Sequence, residues 1–382
     1  MGTTPTTPPR VTRRRFLRSS AALFGTAGLA PGLLAACGGS NGTGSSAGLV
    51  VDTWPIYIDD DPETGTLARF RAATGIEVQW NETFNDTNEY FAKIQPTLSQ
   101  GKSIGADIIM PTYWLIPRLV GLRWLEPMPP VTNRKNLLPS LQNPVWDPTG
   151  AFSLPWQTGI TGIAYNRRSA GREIRSMAQF LDPSLKGKVA VLTELRDTVG
   201  LFMLAGGADP SQPTPASVDA ALARLDKAKS DGQIRRFTGQ DYLDDLVAGN
   251  FAACVAWSGD VAQLAQENPD IGFAVPEEGG MLWADCMVLP RGAKHLANAA
   301  TFMNFVYDQV NAARIAAAVQ YVSPVAGVAE ELRRLGGDAA VLADSTVLFP
   351  DDATRARLRT FGTLSEDDEA ALEEAFSRIA GT

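Results

Sequence analysis

A regular alternation of short β-type runs with amphipathic helical runs begins near residue 48, and it limits the possible folds more than any other feature of the chain. Leu49–Val51 and the alternating Ile76–Trp80 are typical of strands, whereas Thr66–Thr74, followed by Gly75, is typical of a helix. Helices between consecutive strands are the usual crossover connections of a parallel sheet. The pattern therefore predicts parallel α/β layers.

The alternation continues to the C-terminus. Asn88–Gly101 predicts an amphipathic helix, although Pro96 argues against its continuity, and Ala106–Met110 predicts a buried strand. Further strands are predicted at 188–192 and 251–257, and helices at 199–205, 217–230, 241–248, 297–307, 311–319 and 366–379. A body of about 335 residues is larger than one hydrophobic core usually supports, so two lobes are expected.

The first 37 residues have the parts of an export signal. Arginines in Thr12–Leu17 precede an apolar run, Ala21–Leu34, and small residues stand before Cys37. The arginine group resembles the twin-arginine signal, and Leu34–Cys37 resembles a bacterial lipobox. The second resemblance implies that Cys37 receives lipid and becomes the mature N-terminus.

The leader is not expected to be a transmembrane helix. Ala21–Ala36 is interrupted by three glycines and a proline, and it is shorter than the roughly 20 apolar residues that a span needs. Lipid on Cys37 would instead hold the protein at the outer face of the cell membrane. With 1–37 as the signal, the Gly- and Ser-rich residues 38–47 predict a flexible tether.

Charge and the scarcity of reactive side chains exclude several kinds of site. Removal of residues 1–36 takes away five arginines and no acid, which changes the formal net charge from −8 to −13, so nucleic acid is not an expected partner. The single histidine, His295, excludes Ser-His-Asp catalysis and most zinc sites, and no cofactor or metal is expected. Cys254 and Cys286 could form one disulfide or stay as two buried free thiols.

Seven separated segments are similar, in order and spacing, to segments of the spermidine/putrescine-binding proteins of ABC importers. They are Thr53–Tyr57, Phe70–Val78, Ala106–Trp114, Phe152–Asn166, Thr193–Asp197, Val255–Gly259 and Glu278–Pro290. This resemblance implies an α/β, two-lobe periplasmic-binding-protein type II fold with hinge crossovers and a ligand cleft between the lobes.

The resemblance also implies where the lobes and the ligand lie. Phe152–Asn166 and Glu278–Pro290 would be the crossings, so that lobe one contains 48–158 plus 286–326 and lobe two contains 159–285 plus 327–382. Ligands of open α/β sheets lie beyond the carboxyl ends of strands. The loops after Val51, Met110, Leu192 and Trp257 are therefore expected to surround the ligand.

Trp283 and Asp285 are candidates for the centre of an amine site. A polyamine needs carboxylates for its ammonium groups and aromatic faces for its methylenes. The two residues alternate along a predicted strand and so point to one face, and the family has a central Trp and a key Asp at similar positions. The alternative is that Trp283 packs in the hinge core and that Asp285 caps a helix or lies in a solvated turn.

Other aromatic candidates stand at the ends of predicted strands. Trp257 resembles a second ligand-stacking Trp of the family. For Trp54, Tyr57 and Tyr113 the resemblance implies that the ring stacks on an amine ligand or that the hydroxyl contacts it. Packing between loops is the alternative for each of them. Packing is the prediction for two further tryptophans, Trp80 and Trp114.

Thr193–Asp197 is the most diagnostic acidic segment. The family has an Asp-x-Arg-Glu-like turn here, in which the first acid grips an ammonium and the second helps to position the site. This chain has Glu194 and Asp197 with Arg196 between them. Acids at a helix N-terminus would also be favoured by the helix dipole, whatever the ligand.

Two departures from the family pattern bear on the ligand. The family commonly has Thr-Glu-Tyr after the first Trp, whereas this chain has Pro55-Ile56-Tyr57, so one acidic contact is missing; a polar contact near Arg359–Phe361 is also missing. The ligand could be shorter than spermidine or differently charged. It could also be held by one of three further acids, Asp52, Glu82 or Asp86.

These features together predict a monomeric, lipid-anchored binding protein on the extracytoplasmic face of the membrane, which delivers a small cationic amine to the permease subunits of an ABC importer. Such a role requires no catalytic residue. The alternatives are a binding protein for another small cationic metabolite and an envelope hydrolase that uses paired carboxylates. A structural lipoprotein would leave the strand-end acids and tryptophans unexplained.

Overall fold

The computed structural model describes residues 48–59 and 61–381, so the predicted leader, Cys37 and the tether lie outside the described residues. Eleven strands in the described residues form one mixed sheet. They are β1 Leu49–Thr53, β2 Val78–Glu82, β3 Ile108–Ile109, β4 Leu125–Glu126, β5 Ser153–Asn166, β6 Val189–Leu192, β7 Ile234–Thr238, β8 Ala253–Trp257, β9 Ile271–Ala274, β10 Gly280–Pro290 and β11 Leu358–Arg359.

Sixteen α-helices lie within the same described ranges. They are α1 Thr66–Thr74, α2 Thr87–Ser99, α3 Leu115–Gly121, α4 Pro139–Gln142, α5 Arg167–Ala170, α6 Met177–Phe180, α7 Leu195–Ala205, α8 Pro215–Ser230, α9 Tyr242–Ala248, α10 Ser258–Glu267, α11 Leu296–Val306, α12 Gln309–Val319, α13 Val328–Leu335, α14 Gly337–Leu342, α15 Asp352–Ala356 and α16 Glu366–Ala380. Two short 3₁₀ turns, Thr132–Asn136 and Pro183–Leu185, complete the helical segments. No described helix is long and apolar enough to cross a membrane.

The main path of the sheet runs in the order β2-β1-β3-β10-β5-β8-β6-β7. The strands β2, β1 and β3 pair in parallel at one end, and β8, β6 and β7 do so at the other. Between these two groups the long strands β5 and β10 pair antiparallel with each other and with their other neighbours in the path. The predicted parallel layers are therefore confirmed on both sides of a central antiparallel pair.

Local sequence accounts for most element boundaries. The helix α1 has the predicted bounds, because Gly75 adopts the left-handed conformation, φ 72°, that ends helices. The predicted helix is present as α2, which continues through Pro96 and buries Tyr90 and Phe91. The strand β2 begins two residues later than the pattern predicts.

The start of α7 was predicted four residues too late. This helix begins at Leu195, with Glu194 as its N-cap residue and Asp197 in its first turn. The acidic segment 193–197 is therefore part of the strand-to-helix connection, where acids are favoured by the exposed N–H groups of a helix N-terminus. The first turn of α7 directs these side chains beyond the carboxyl end of β6.

Cys254 on β8 and Cys286 on β10 are both buried free thiols, which is one of the two predicted outcomes. His295 precedes α11, and its Nδ1 lies 2.9 Å from Oδ2 of Asp107. Asp107 also accepts a hydrogen bond from the backbone N–H of Val50, so this buried carboxylate joins α11 to the strands at one end of the sheet. In the described residues, no group of three or more His, Cys, Asp or Glu side chains is arranged to hold a metal ion.

Candidate functional site

A cavity of about 530 Å³, counting the space at its mouth, lies where β5 and β10 pair and where the loops after four strands meet. Those loops follow β1, β3, β6 and β8, as predicted from the rule for open α/β sheets. All eight predicted ligand-binding residues line this one cavity: Trp54, Tyr57, Tyr113, Glu194, Asp197, Trp257, Trp283 and Asp285.

Asp285 lies on β10 and is held from two loops. Its Oδ2 accepts a hydrogen bond from the Tyr57 hydroxyl at 2.7 Å, and its Oδ1 accepts one from Thr112 Oγ1 at 2.8 Å. Burial raises the pKa of this carboxyl to about 7, although both hydrogen bonds lower the pKa and the charge of Asp197 raises it further. Asp285 is therefore neither a helix cap nor a solvated turn residue.

Asp197 faces the cavity from the first turn of α7. Its Oδ2 accepts a hydrogen bond from Trp257 Nε1 at 2.8 Å, and Trp257 ends β8. Burial raises the pKa of Asp197 to about 6, against the lowering effects of the Trp257 hydrogen bond and of the Arg196 charge. The indole of Trp257 is thus held by a cavity carboxylate, which places one ring edge beside the acid.

Glu194 is the third carboxylate of the wall, and a tryptophan from the loop after β3 holds it. Trp114 Nε1 donates to Glu194 Oε1 at 3.0 Å, and the Arg196 guanidinium carbon lies 3.8 Å from the centroid of the Trp114 ring. Burial raises the pKa of Glu194 well above its usual range, and the charges of Asp86 and Asp197 raise it further. Arg196 also forms an ion pair with Glu369 on α16.

The placement of Trp114 corrects one prediction. Trp114 was expected to pack between loops, but it lines the cavity and contacts two of its charged residues. The prediction failed because Trp114 lies one position beyond Tyr113, at the start of α3. The direction of its side chain there depends on the turn and not on strand alternation. The other tryptophan predicted to pack, Trp80, does so, with its ring centroid 6.0 Å from that of Trp156.

Aromatic rings form the remaining walls. Trp54 and Trp257 meet edge to face with ring centroids 5.6 Å apart, and Trp54 Nε1 donates to the carbonyl of Met110 at 3.1 Å. Tyr321 lies 5.4 Å from both Trp283 and Tyr57, in edge-to-face contacts. The cavity therefore combines three carboxylates with rings whose orientations are set by hydrogen bonds and mutual packing.

Tyr321 and Asp260 are residues of this region that the sequence reasoning did not select. The Tyr321 hydroxyl donates to Asp260 Oδ1 at 2.7 Å, and Tyr242 donates to Oδ2 of the same buried carboxylate at 3.1 Å. Gly259 packs directly under the Tyr321 ring, so that a side chain there would overlap it. The Ser258-Gly259-Asp260 turn after Trp257 was the signal that could have identified Asp260.

The three acids suggested as substitutes for the missing family contact lie outside the wall of the cavity. Asp52 accepts hydrogen bonds from Asn81 and Tyr90, and Asp86 caps α2 through the backbone N–H groups of residues 88 and 89. Glu82 lies within 3.4 Å of the Ile56 backbone nitrogen on the surface. The structure thus gives these carboxylates other partners and does not bring them into the cavity wall.

Comparisons with known proteins agree with this architecture. A family model described as bacterial extracellular solute-binding protein matches residues 66–344. The spermidine/putrescine-binding periplasmic protein 1 of Haemophilus influenzae is 27% identical over 274 residues, which cover 70% of this chain and 73% of that protein. A putrescine/cadaverine-binding protein of Pseudomonas aeruginosa is 26% identical over 356 residues, covering 87% and 93%.

The fold is likewise similar to solved structures. The spermidine/putrescine ABC transporter substrate-binding protein of Streptococcus pneumoniae superposes with a TM-score of 0.71 at 25% identity, covering 87% of this chain and 98% of the other. The expected fold class, the α/β two-lobe fold of type II periplasmic binding proteins, is confirmed. The chain belongs to the family of bacterial extracellular solute-binding proteins.

Proposed function

We propose that this protein is a lipid-anchored, extracytoplasmic binding protein that captures a polyamine such as putrescine or spermidine and delivers it to the permease of an ABC importer. The observation that carries the proposal is the charge of the cavity wall. Among the described residues that line it, Glu194, Asp197 and Asp285 are acidic and Arg196 alone is basic. A cationic ligand supplies the charge that this wall lacks.

The raised pKa values of Asp197 and Asp285 support the same proposal. Burial removes water from Asp197 and Asp285, and each carboxylate also lacks a cation at hydrogen-bond distance in the described residues. An ammonium placed between them would donate charge-assisted hydrogen bonds and favour the ionised form of both. An amine would therefore offset part of the cost of burying these two carboxylates.

The aromatic walls suit the apolar part of the same ligand. Methylene groups between two ammonium groups need surfaces that do not compete for hydrogen bonds, and the faces of Trp54, Trp257 and Trp283 provide them. The relatives named above bind spermidine, putrescine or cadaverine according to their names, and all of these are chains of methylenes that end in ammonium groups. A binding role of this kind breaks no bond and requires no catalytic residue.

Closure of two lobes over the ligand is part of the proposal. The proposed boundaries, 48–158 plus 286–326 and 159–285 plus 327–382, cut the paired strands β5 and β10 in their middle, where Asp285 pairs with Gln157. The register shifts between Asp285 and Cys286, and such irregularities bend strands. Contacts from both lobes would favour the closed form, which the permease then recognises.

Attachment to the membrane is proposed from the sequence. The lipobox-like Leu34–Cys37 and the arginines before Phe16 support a twin-arginine leader that ends at an acylated Cys37. Labelling of bacteria with a fatty-acid probe tests this directly. The intact chain is expected to incorporate label, and Cys37→Ala is expected to lose it; label retained by Cys37→Ala would exclude this anchor.

Thermal unfolding of residues 38–382 against a panel of ligands tests the binding role. The panel contains putrescine, spermidine, spermine, agmatine, choline, basic amino acids and sugars. A ligand at one hundred times its Kd stabilises the folded state by about 2.7 kcal/mol, so the midpoint should rise with the concentration of at least one polyamine. Stabilisation by choline or a basic amino acid alone would instead assign another cationic metabolite, and stabilisation by sugars alone would contradict the proposal.

A further inference from the structure

Two charged atoms in the wall of the cavity have no hydrogen-bond partner in the described residues. They are Oε2 of Glu194 and Nη1 of Arg196, and both are buried. The side chains are only 4% and 7% exposed, so bulk water does not solvate them. Leaving a buried donor and a buried acceptor unpaired is costly, and charged groups bear the larger cost.

The two atoms belong to one small region. Glu194 and Arg196 are two residues apart at the start of α7, and both contact Trp114, Glu194 through Oε1 and Arg196 across the ring face. Arg196 is fixed on its other side by Glu369. No ion pair joins Glu194 to Arg196 within the part of the chain that the structure describes. Both residues line the same cavity, and each has one unpaired polar atom.

A second ammonium is a poor complement for this region. An ammonium has only donors, so it could serve Glu194 Oε2 but would leave Arg196 Nη1 unpaired. It would also stand close to a guanidinium of the same charge. A carboxylate has the opposite defect, because it could accept from Arg196 but has no donor for Glu194 Oε2. A neutral group with one donor and one acceptor satisfies both atoms.

We propose that the ligand is a monocationic amine whose other end carries a neutral donor and acceptor, such as the secondary amide of an N-acylated diamine. Its ammonium would bind between Asp197 and Asp285, its amide N–H would donate to Glu194, and its amide oxygen would accept from Arg196. This inference rests on the proposed amine-binding function and makes its ligand more specific. Arg196 is then the residue that determines specificity.

Calorimetric titration of the wild-type chain with three ligands of the same four-carbon spacing tests the inference: putrescine, N-acetylputrescine and 4-aminobutyrate. N-acetylputrescine is expected to bind at least about tenfold more tightly than either of the others, because only it pairs both atoms. Equal or tighter binding of putrescine, or tighter binding of 4-aminobutyrate, would overturn the inference while leaving an amine- or amino-acid-binding function in place. If none of the three ligands and no polyamine binds, the proposed function itself fails.

Two variants test whether Arg196 and Glu194 cause the preference for N-acetylputrescine. Arg196→Met should reduce the preference for N-acetylputrescine over putrescine to less than about threefold. Glu194→Gln should weaken putrescine more than N-acetylputrescine, because it removes a charge that favours only the ligand with a second ammonium. The matched control is Arg168→Met, which removes an exposed arginine paired with Asp270; neither residue lines the cavity. An unchanged preference in a folded Arg196→Met protein would contradict the assignment; if that variant does not fold, the wild-type titrations decide.

Discussion

At the scale of single residues, the cavity is organised by donors that already occupy its carboxylates. Tyr57 and Thr112 donate to Asp285, Trp257 donates to Asp197, and Trp114 donates to Glu194. These donors are uncharged, so they orient the acids without neutralising them. No basic side chain therefore competes with a cationic ligand at these hydrogen-bonded oxygens, and the geometry of the acids is set before a ligand arrives.

Asp285→Asn tests the role of one carboxylate. The substitution keeps the shape of the side chain and removes its charge, so amine binding should weaken by about 1–3 kcal/mol, measured by isothermal titration calorimetry. Asp338→Asn, at an exposed position on α14, is the control and should bind like the wild type. An affinity unchanged within error in Asp285→Asn would remove this residue from the site.

At the scale of elements, the close pairing of β5 with β10 positions the ring of Trp283. Trp283 pairs with Gly159 across the two strands, and a methyl group on Gly159 would overlap the indole. Glycine is therefore needed here for close approach rather than for an unusual backbone angle. The same strands carry Asp285, so the proposed hinge and the cavity share residues.

Gly159→Ala should displace the Trp283 ring and weaken amine binding by at least about tenfold, while overpacking lowers the free energy of unfolding by about 1–3 kcal/mol. Gly121→Ala, where nothing lies near the added methyl group at the end of α3, is the matched control and should not destabilise the protein. Calorimetry and urea denaturation measure the two effects. Wild-type affinity in Gly159→Ala would show that Trp283 does not contact the ligand.

The N-terminal cap of α2 gives a prediction about stability alone. Asp86 caps this helix by accepting from two backbone N–H groups at 2.7 and 3.1 Å. Asp86→Ala should lower the free energy of unfolding by about 1 kcal/mol, and Asp86→Asn, which retains a capping acceptor, should lower it less. Urea denaturation of the two variants measures the difference. Equal decreases in the free energy of unfolding would show that Asp86 does not stabilise the protein by capping α2.

At the scale of the whole molecule, the buried acids couple folding and binding to pH. The pKa values of Asp197 and Asp285 in the folded, ligand-free protein are about 6 and about 7, above their usual value of 3.8. Between about pH 4 and pH 7, Asp197 and Asp285 hold more protons in the folded chain than in the unfolded chain. The stability that these two groups contribute is therefore fully present below about pH 4 and is lost as the pH rises to about 7.

Asp285→Asn should remove part of this pH dependence. Between its pKa in the unfolded chain and its pKa in the folded chain, each such group changes the free energy of unfolding by up to roughly 1.4 kcal/mol per pH unit. The variant lacks this loss, so it should become more stable relative to the wild type as the pH rises from 5 to 7. Urea denaturation of both ligand-free proteins at pH 5, 6, 7 and 8 measures the difference. Parallel pH profiles would contradict the assignment of the raised pKa to Asp285.

Amine binding should release protons near pH 6.5. A bound ammonium favours the ionised form of Asp197 and Asp285 and so lowers the pKa of both. Affinity should consequently fall as the pH drops from 8 to 5. Calorimetry in buffers with different enthalpies of ionisation counts the protons, and a binding enthalpy that is the same in every buffer would exclude this linkage.

Much of the architecture follows from local sequence. Short apolar runs predicted β1 and β8, Gly75 marked the end of α1, and the loops after four strands were expected to carry the site. Eight site residues chosen from those loops and from the predicted second crossing line a single cavity. These predictions succeeded because strand and helix periodicity, and the position of ligands at strand ends, depend on residues close together in the chain.

The tertiary structure decided what depends on residues far apart in the chain. Tyr57 and Asp285 are 228 positions apart, and only the fold makes them hydrogen-bond partners. The direction of Trp114, the partner of Asp260 and the unpaired atoms of Glu194 and Arg196 were likewise set by packing between distant segments. The sequence by itself determined the elements and the loops that carry the site, because those are local; the burial, pairing and charge balance of its side chains required the folded chain, since solvent exclusion and hydrogen bonding depend on all neighbours at once.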